Sequence, residues 1–298
     1  MLLTSRPDSL IPPPFEGVDP SSKRPWALRE LPPFPPIATR LLGLLAKEGT
    51  GLREISDLIN QDAVFAMEVL RMANSSLFGI QSEISTILQG VAFLGTERVK
   101  SLAFTVAIRN YLKGALTHGI LKRSWRHNLA CAVIAEEMSG RLFLDGAQAY
   151  TAALMHDIGR LAFLASYPKQ CANLFEVAQE NAFDIRACER SLFEIDHCEA
   201  GGWLVKEWGL PREFEDYTRL HHEPIANEKM GHLAVTQASC GLANAMGFSV
   251  LQCVAPRTPD EVLATMPEWE RGRFHPSWED LEFRVASKVN AMDRSSSG

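Results

Sequence analysis

The chain has 298 residues, a formal net charge of −6 and a sequence pI near 5.8. This acidic balance argues against a nucleic-acid partner, because binding to phosphate backbones needs a positively charged face. The sequence contains no uninterrupted apolar run of about eighteen residues and no signal-peptide pattern at its start, which predicts no membrane partner and a cytoplasmic location. The six cysteines lack C-x-x-C spacing and are expected to be reduced thiols.

Changes in composition and apolar spacing divide the chain into four parts. Residues 1–28 are rich in Pro and Ser and predict an extended arm, whereas 29–115 predict an amino-terminal helical subdomain. Residues 116–248 contain most of the histidines, and 249–298 predict an extension with a final helix near Trp278–Met292. Strand signals are almost absent, so the predicted fold class is all-α.

Two helices of the amino-terminal subdomain can be placed from their apolar spacing. The first has Ile37, Leu41, Leu44 and Leu45 in register. A later helix is predicted to begin with Thr96 as its cap and to continue through Val106.

Six side chains in the second half of the chain are metal-ligand types, and all six stand in segments predicted to be helical. Imidazole nitrogens suit Fe, Mn, Ni or Zn, and a carboxylate can bridge two such ions. The set therefore predicts a site for one or two divalent metal ions. Its members are His127, His156, Asp157, His197, His221 and His222.

The apolar register around each candidate predicts which residues face the core. His127 shares a stripe with Cys131 on one helix, and His197 shares another with Leu204. The segment AQAYTAALMHDIGRLAFLAS is apolar nearly all round and predicts one continuous central helix that contains His156 and Asp157. His221 and His222 are predicted to end the next helix, in register with Phe214 and Thr218.

Each histidine also has a simpler interpretation. A single histidine on an apolar helical face is more often a hydrogen-bonded core residue than a ligand. The adjacent pairs favour a metal, because two buried imidazoles side by side must both find partners. A buried Asp157 without a cation or several donors would cost several kcal/mol.

Several longer motifs carry a resemblance to a known family. They are LPPFPPIATRLLGLL, LREISDLINQDAVFAMEVLRMANSSLFG, ISTILQGVAFLGTERVKSLAF, ALMHDIGRL and DHCEAGGWLVKEWGLPREFEDYTRLHHEP. Through them the chain resembles the HDOD proteins, relatives of the HD-domain metal-dependent phosphohydrolases and of the HD-GYP cyclic dinucleotide phosphodiesterases. The resemblance covers about Leu31 to Gly247 and implies an HD-like helical bundle over residues 29–248.

The resemblance also implies roles for the six ligand types. His127 corresponds to the first ligand and His156 with Asp157 to the His-Asp pair, whereas His197, His221 and His222 correspond to the extra ligands of the dinuclear branch. The family's final Asp is missing, since GHLAVTQASCGLANAMG contains no acid, and the nearest positions are Gln237 and Cys240. An ion shared by His127, His156 and Asp157 is therefore less well supported than one on Asp157 and the three later histidines. Cys198 and Cys240 are further candidates to lie near the cluster.

Two departures from the family bear on catalysis. Arg160 stands where the cyclic dinucleotide phosphodiesterases have Lys, and a guanidinium can hold a phosphate, though not as the same point charge. The Gly-Tyr-Pro turn is absent after the His-His pair, where the chain reads EPIANEKMGHL. Hydrolysis of cyclic di-GMP is therefore not predicted.

Two functions from different classes remain open. In the first, the chain is a bacterial signalling module that binds a partner protein or a small phosphorylated ligand, with any metal serving structure or sensing. In the second, it is a phosphohydrolase in which metals activate a water molecule, with Asp157 and Arg160 as catalytic residues. The missing Asp and the absent turn favour the first, whereas the retained histidines favour the second. The sequence does not predict the oligomeric state.

Overall fold

The computed structural model of the chain describes residues 24–31, 33–45, 49, 51–74, 83–116, 119–224, 231–251, 257–266 and 268–294. Every regular element in these ranges is helical, so the prediction of an all-α fold is confirmed. Most of the predicted Pro-rich arm, the segment 225–230 after the histidine pair, and Cys253 lie outside the described residues.

The first half of the fold contains α1 (Pro36–Leu45), α2 (Leu52–Ile59), α3 (Ala63–Ala73), α4 (Ile87–Leu94), α5 (Thr96–Leu112) and α6 (Gly119–Leu142). The middle contains α7 (Gly146–Met155), α8 (Ile158–Ser166), α9 (Pro168–Glu180), α10 (Ile185–Phe193), α11 (His197–Glu207) and α12 (Glu213–Arg219). The last part contains α13 (His232–Ala243), α14 (Pro259–Leu263), α15 (Glu268–Arg271) and α16 (Trp278–Arg294). A 3-10 helix covers Trp26–Leu28 and a π-helical turn covers Asn244–Phe248.

In the amino-terminal part of the fold, α5 contacts α1, α3 and α4. Asn74 follows the last residue of α3. Its side-chain amide donates a hydrogen bond to the carbonyl of Ile84 and accepts one from the amide of Ile84, both of 2.7 Å. The prediction that Thr96 caps α5 is wrong. Thr96 is already the first helical residue, and Gly95 precedes it with a φ of 84°, a conformation that suits glycine.

The second half is organised by α6, whose neighbours include α7, α13 and α16. The final helix buries Val285, Val289 and Met292 in the common core. Arg126 on α6 also donates a hydrogen bond of 2.9 Å to Asp293. The helix that bears His127 is therefore held from several sides.

The apolar segment predicted as one central helix is in fact two helices, and that prediction is wrong. α7 ends at Met155 and α8 begins at Ile158, with His156 and Asp157 in between. Adjacent side chains on a continuous α-helix point about 100° apart, so a break is needed for both to face one centre.

A close contact between α8 and α11 fixes the direction of the chain after the break. A Cβ atom at Gly159 would overlap the carbonyl oxygen of His197 and would lie 2.6 Å from the amide nitrogen of Gly201. Only glycine allows the two backbones to approach this closely. The contact places the start of α11 directly beside the His156–Asp157 junction.

The histidines of the later segment also lie at helix ends. His197 is the first residue of α11, and the capping box of Asp196 and Glu199 fixes this start. His221 and His222 follow the end of α12 in a turn, so their predicted position within the helix is wrong. No helix in the described part of the chain combines the length and the apolar character needed to cross a bilayer.

Candidate metal centre

The structure brings all six predicted ligand residues into one region of the bundle. Five of them are buried, with side chains in the interior, whereas His222 is exposed at the edge. The imidazole rings form a continuous row, with centroids 5.5 Å apart for His127 and His156, 5.0 Å for His156 and His221, and 5.4 Å for His197 and His221. The sequence prediction that these residues converge therefore agrees with the geometry, although their role as ligands stays a prediction.

One end of this row contains two cysteines. The Sγ atoms of Cys131 and Cys240 lie 3.4 and 3.5 Å from Nε2 of His127. With His156 these residues form a group in which one ligand atom from each lies within 4.8 Å of every other. We call this group, His127, Cys131, His156 and Cys240, the thiol cluster.

The other end of the row is mostly imidazole. Nε2 of His197 lies 3.0 Å from Nε2 of His222 and 3.4 Å from Sγ of Cys198. His221 completes a second group in which the ligand atoms lie within 4.8 Å of one another. We call this group, His197, Cys198, His221 and His222, the imidazole cluster.

Backbone carbonyls hold three of the histidines in the orientation that metal ligands adopt. Nδ1 lies 3.0 Å from the Phe248 carbonyl in His127, 2.6 Å from that of Ala153 in His156, and 2.9 Å from that of Thr218 in His221. A carbonyl oxygen can only accept, so each Nδ1 carries the proton and donates it. In the neutral ring Nε2 then has its lone pair free, which is the state that coordinates a cation.

Three buried polar atoms between the two clusters fit a divalent ion. Nε2 of His156, Oδ1 of Asp157 and Nε2 of His221 have no hydrogen-bond partner among the residues that the structure describes. They also form a third group of ligand atoms within 4.8 Å of one another. Leaving such atoms unpaired in the interior costs about 1–3 kcal/mol each, and a coordinated cation would remove that cost.

A guanidinium lies beside this group. Arg160 makes a charge-assisted hydrogen bond to Oδ2 of Asp157, its Nη2 lies 3.0 Å from Nε2 of His197, and its Nε lies 3.6 Å from Glu189. Burial alone would raise the pKa of Asp157, but Arg160 and the neighbouring histidines hold it well below its ordinary value. Asp157 is therefore an ionised carboxylate whose charge is already compensated by the protein.

Glu189 is a site residue that the sequence analysis did not identify. It is buried on α10, and its Oε2 lies 2.5 Å from Nδ1 of His197. Burial and Arg160 lower the pKa of His197, but Glu189, Cys198 and Asp157 outweigh them and raise it to about 10. Burial lowers the pKa of His221 to about 4, and the opposing effect of Asp157, whose Oδ1 lies 3.3 Å from Nε2 of His221, does not outweigh it.

The two positions nearest to the absent aspartate, Gln237 and Cys240, have different contacts. The side-chain amide of Gln237 donates to the carbonyls of Leu220 and Glu223, at 2.8 and 2.7 Å, and so supports the turn that carries the two adjacent histidines. Cys240, one helical turn further along α13, contacts His127 instead. The correspondence of either residue to the family's aspartate stays a prediction.

An open cleft of about 1380 Å³ borders the imidazole cluster. His221 and His222 line it, as do Arg123 and Arg257. Arg160 is not among the described lining residues, because its guanidinium is turned towards Asp157 and Glu189. The predicted contact between Arg160 and a phosphate stays a prediction.

Comparison with known proteins places the chain in a family. The model of the HDOD domain matches residues 31–224. An uncharacterised protein of Treponema pallidum (strain Nichols) is 24% identical over 213 residues, a match that covers 70% of this chain and 41% of that protein. The chain thus spans about two fifths of the length of this relative.

Solved structures share the fold. An HDOD domain protein of unknown function from Geobacter sulfurreducens matches with a TM-score of 0.72 and 24% identity, over 89% of this chain and 92% of that one. A candidate phosphohydrolase from Shewanella amazonensis SB2B matches with a TM-score of 0.69 and 20% identity, over 90% and 96% of the two chains. A candidate signal transduction protein from Marinobacter aquaeolei VT8 matches with a TM-score of 0.68 and 20% identity, over 88% and 60%.

Proposed function

The chain belongs to the HDOD family, and from this premise we propose that it is a bacterial signal-transduction output module. Its HD-like centre holds one or two divalent ions that serve structure or sensing. The module acts in the cytoplasm by binding a signalling protein or a small phosphorylated ligand. Turnover of a substrate, including cyclic di-GMP, is not part of this function.

The observation that carries the proposal is the contact between Arg160 and Asp157. A dinuclear hydrolase needs its central carboxylate to bridge two ions that activate a water molecule. Here a permanently charged guanidinium already binds that carboxylate, and it also contacts Glu189 and His197. A second cation beside Asp157 would have to displace Arg160 or tolerate its repulsion.

The remaining ligand atoms still fit one ion. His156 is the natural anchor, because its Nε2 is buried, unpaired among the described residues, and part of both the thiol cluster and the group with Asp157 and His221. A divalent ion bound there would supply a positive charge that ties α6, the α7–α8 junction and α13 together. His156, held by Ala153, and His127, held by Phe248, present their lone pairs to that position.

The experiment that tests this function compares turnover with metal content. The protein is purified without chelator and assayed for phosphomonoester and phosphodiester hydrolysis with added Zn²⁺, Mn²⁺, Fe²⁺ or Ni²⁺. We expect bound metal that is lost in a His156→Ala/Asp157→Ala double variant, with no hydrolysis above that variant. Hydrolysis that requires Asp157 would overturn the signalling proposal.

The alternative function is a metal-dependent phosphohydrolase, and the cleft is the observation that favours it. His221 and His222 line it, and its two arginines, Arg123 and Arg257, would attract a phosphorylated molecule. In that function Asp157 holds the ions and Arg160 turns from Asp157 towards the phosphoryl oxygens. An Arg160→Lys variant separates the two functions. In a hydrolase the substitution would change the rate of phosphate-ester hydrolysis, whereas in a non-hydrolytic module neither the wild type nor the variant would hydrolyse the substrate.

A further inference from the structure

We propose that the thiol cluster is a closed Zn²⁺ site in which two imidazole nitrogens and two thiolates are the four ligands. The inference rests on the metal centre of the proposed function and names its ligands. It also changes the expected chemistry, because a zinc ion with four protein ligands has no open position for a water or a substrate.

The spacing of the ligand atoms supports tetrahedral coordination. With Zn–S near 2.3 Å and Zn–N near 2.05 Å, sulfur and nitrogen ligands of one tetrahedral ion lie roughly 3.6 Å apart. The two Sγ atoms lie 3.4 and 3.5 Å from Nε2 of His127. All four ligand atoms fall within 4.8 Å of one another. The cluster is therefore the right size for a single ion before any side chain moves.

Hydrogen bonding does not account for this arrangement as well as a metal does. Nδ1 of His127 donates to the Phe248 carbonyl, so the neutral ring offers one lone pair at Nε2. Two sulfur atoms share that one lone pair, and only one thiol can donate to it with good geometry. Nε2 of His156 makes no hydrogen bond within the described residues, and Oδ2 of Asp157 lies 3.8 Å from it. One cation at the centre of the four atoms would satisfy every one of them.

The local chemistry selects zinc from the candidate ions. Thiolates are soft ligands that favour Zn²⁺, whereas carboxylates and water favour Mn²⁺ and Mg²⁺. Cys131 follows His127 by one helical turn on α6, and Cys240 faces both from α13. The thiol cluster therefore contains two soft sulfur atoms and no carboxylate.

The proposed ion is placed away from Arg160 for an electrostatic reason. The charge of Asp157 is compensated by Arg160, so a cation gains little there. His156 has a single free lone pair and can therefore serve only one ion. Between the two groups that share this residue, the thiol cluster offers three further ligands and the group with Asp157 offers two.

Cobalt substitution tests the proposal. The intact protein is stripped with chelator under reducing conditions and then titrated with Co²⁺, whose thiolate charge-transfer absorption in the near ultraviolet reports each coordinated sulfur. We expect one equivalent of Co²⁺ with a two-thiolate band, which falls to about half in Cys131→Ser and in Cys240→Ser. Cys171→Ser is the matched control, since this thiol is also buried but belongs to no ligand group.

A second measurement uses the wild-type protein alone, so a folding defect in a variant cannot hide the answer. Alkylation followed by peptide mapping compares Cys131 and Cys240 with and without one equivalent of Zn²⁺. We expect Zn²⁺ to slow modification of these two thiols at least tenfold and to leave Cys188 unchanged.

The outcomes separate this inference from the proposed function. Bound metal without a thiolate band, and without protection of the two cysteines, would overturn the zinc–thiolate site. The metal would then be bound by other residues, and the metal centre of the proposed function would remain. A stably folded protein that binds no Co²⁺ or Zn²⁺ would overturn both.

Discussion

The two ends of the histidine row differ in how their charge is balanced. The imidazole cluster adjoins Asp157, Glu189 and Arg160, so its acids and its cation come from the protein itself. The thiol cluster has His127 and His156 with two thiols, and no arginine or lysine contacts them within the described residues. A site that contains its own cation has less need of a metal than one that does not.

This difference suggests how a dinuclear centre can become mononuclear. An arginine placed within reach of the central carboxylate takes over the charge of one ion. A cysteine in place of a carboxylate makes the other position favour zinc.

Replacing Gly159 should give the largest effect, because the imidazole cluster depends on the α8–α11 contact. A Gly159→Ala side chain would meet backbone atoms of His197 and Gly201, and we expect a loss of about 4 kcal/mol in unfolding free energy. Gly241→Ala, beside the thiol cluster, would meet only the Val262 side chain, with its nearest atom at 2.8 Å. A loss of about 1 kcal/mol is expected there.

Urea denaturation measures both variants. Gly140→Ala is the matched control, since nothing lies within 4 Å of a Cβ at this helical position and alanine should stabilise by about 0.5–1 kcal/mol. Equal losses for Gly159→Ala and Gly241→Ala would mean that the two clusters are equally tolerant of movement.

Replacing Arg160 should convert the imidazole cluster into a metal site. Arg160→Gln breaks a buried ion pair, so we expect about 3 kcal/mol lower stability in the absence of metal. With Asp157 released, the bound Zn²⁺ should rise from one equivalent to two. Elemental analysis and isothermal titration calorimetry measure the change.

Arg186→Gln controls for the loss of a nearby arginine. Arg186 binds Asp196 and Glu223 and does not contact Asp157. Its removal should leave the metal content at one equivalent. If Arg160→Gln also remained at one equivalent, the guanidinium would not be what excludes the second ion.

Single variants at the His-Asp pair should separate the two clusters. We expect His156→Ala to lose the bound ion and Asp157→Ala to retain it, because Asp157 is not part of the thiol cluster. When free metal is present at one hundred times its Kd, the bound ion should raise the unfolding free energy of the wild type by about 2.7 kcal/mol. Removal of the metal should therefore lower the unfolding free energy by the same amount. Thermal unfolding with and without chelator measures this loss, and an unchanged Tm in wild type would contradict it.

The smallest effect is expected from replacing the Cys240 thiol by a carboxylate. Cys240→Asp exchanges a soft ligand for a hard one, so the ratio of Zn²⁺ to Mn²⁺ affinity should fall about tenfold, equivalent to about 1.4 kcal/mol. Competition titrations measure the ratio, with Cys198→Asp as the control in the other cluster. A ratio that does not change would show that residue 240 is not a ligand.

The sequence was sufficient for the fold class, the family and the convergence of six ligand types. It could not show that the central apolar segment breaks at His156, because the apolar pattern continues across the junction and only the contact of Gly159 with α11 redirects the chain. The end of α12 before His221 was missed for a similar reason, since Gln237 on another helix supports that turn.

The charge partners were the least predictable part of the centre. Arg160 follows Asp157 by one helical turn, so their pairing could have been anticipated from spacing alone. Glu189 belongs to a different helix, where Ile185 and Phe193 lie one turn before and after it on the same face. That register can indicate a buried acid, but it does not show which side chain of another helix the acid would pair with. Cys131 did carry a signal, because it shares the stripe of His127, but a cysteine on a buried face is usually an ordinary core residue.

The glycine contact between α8 and α11 has a consequence for recognising active enzymes from sequence. The residue after His-Asp-Ile is glycine because two backbones touch there, and that requirement exists whether or not a metal is bound. A lineage that abandons hydrolysis can therefore keep the whole His-Asp-x-Gly signature through folding constraints alone. In this chain the residues that bear on metal binding are instead Arg160, which pairs with Asp157, and Cys240, which contacts His127.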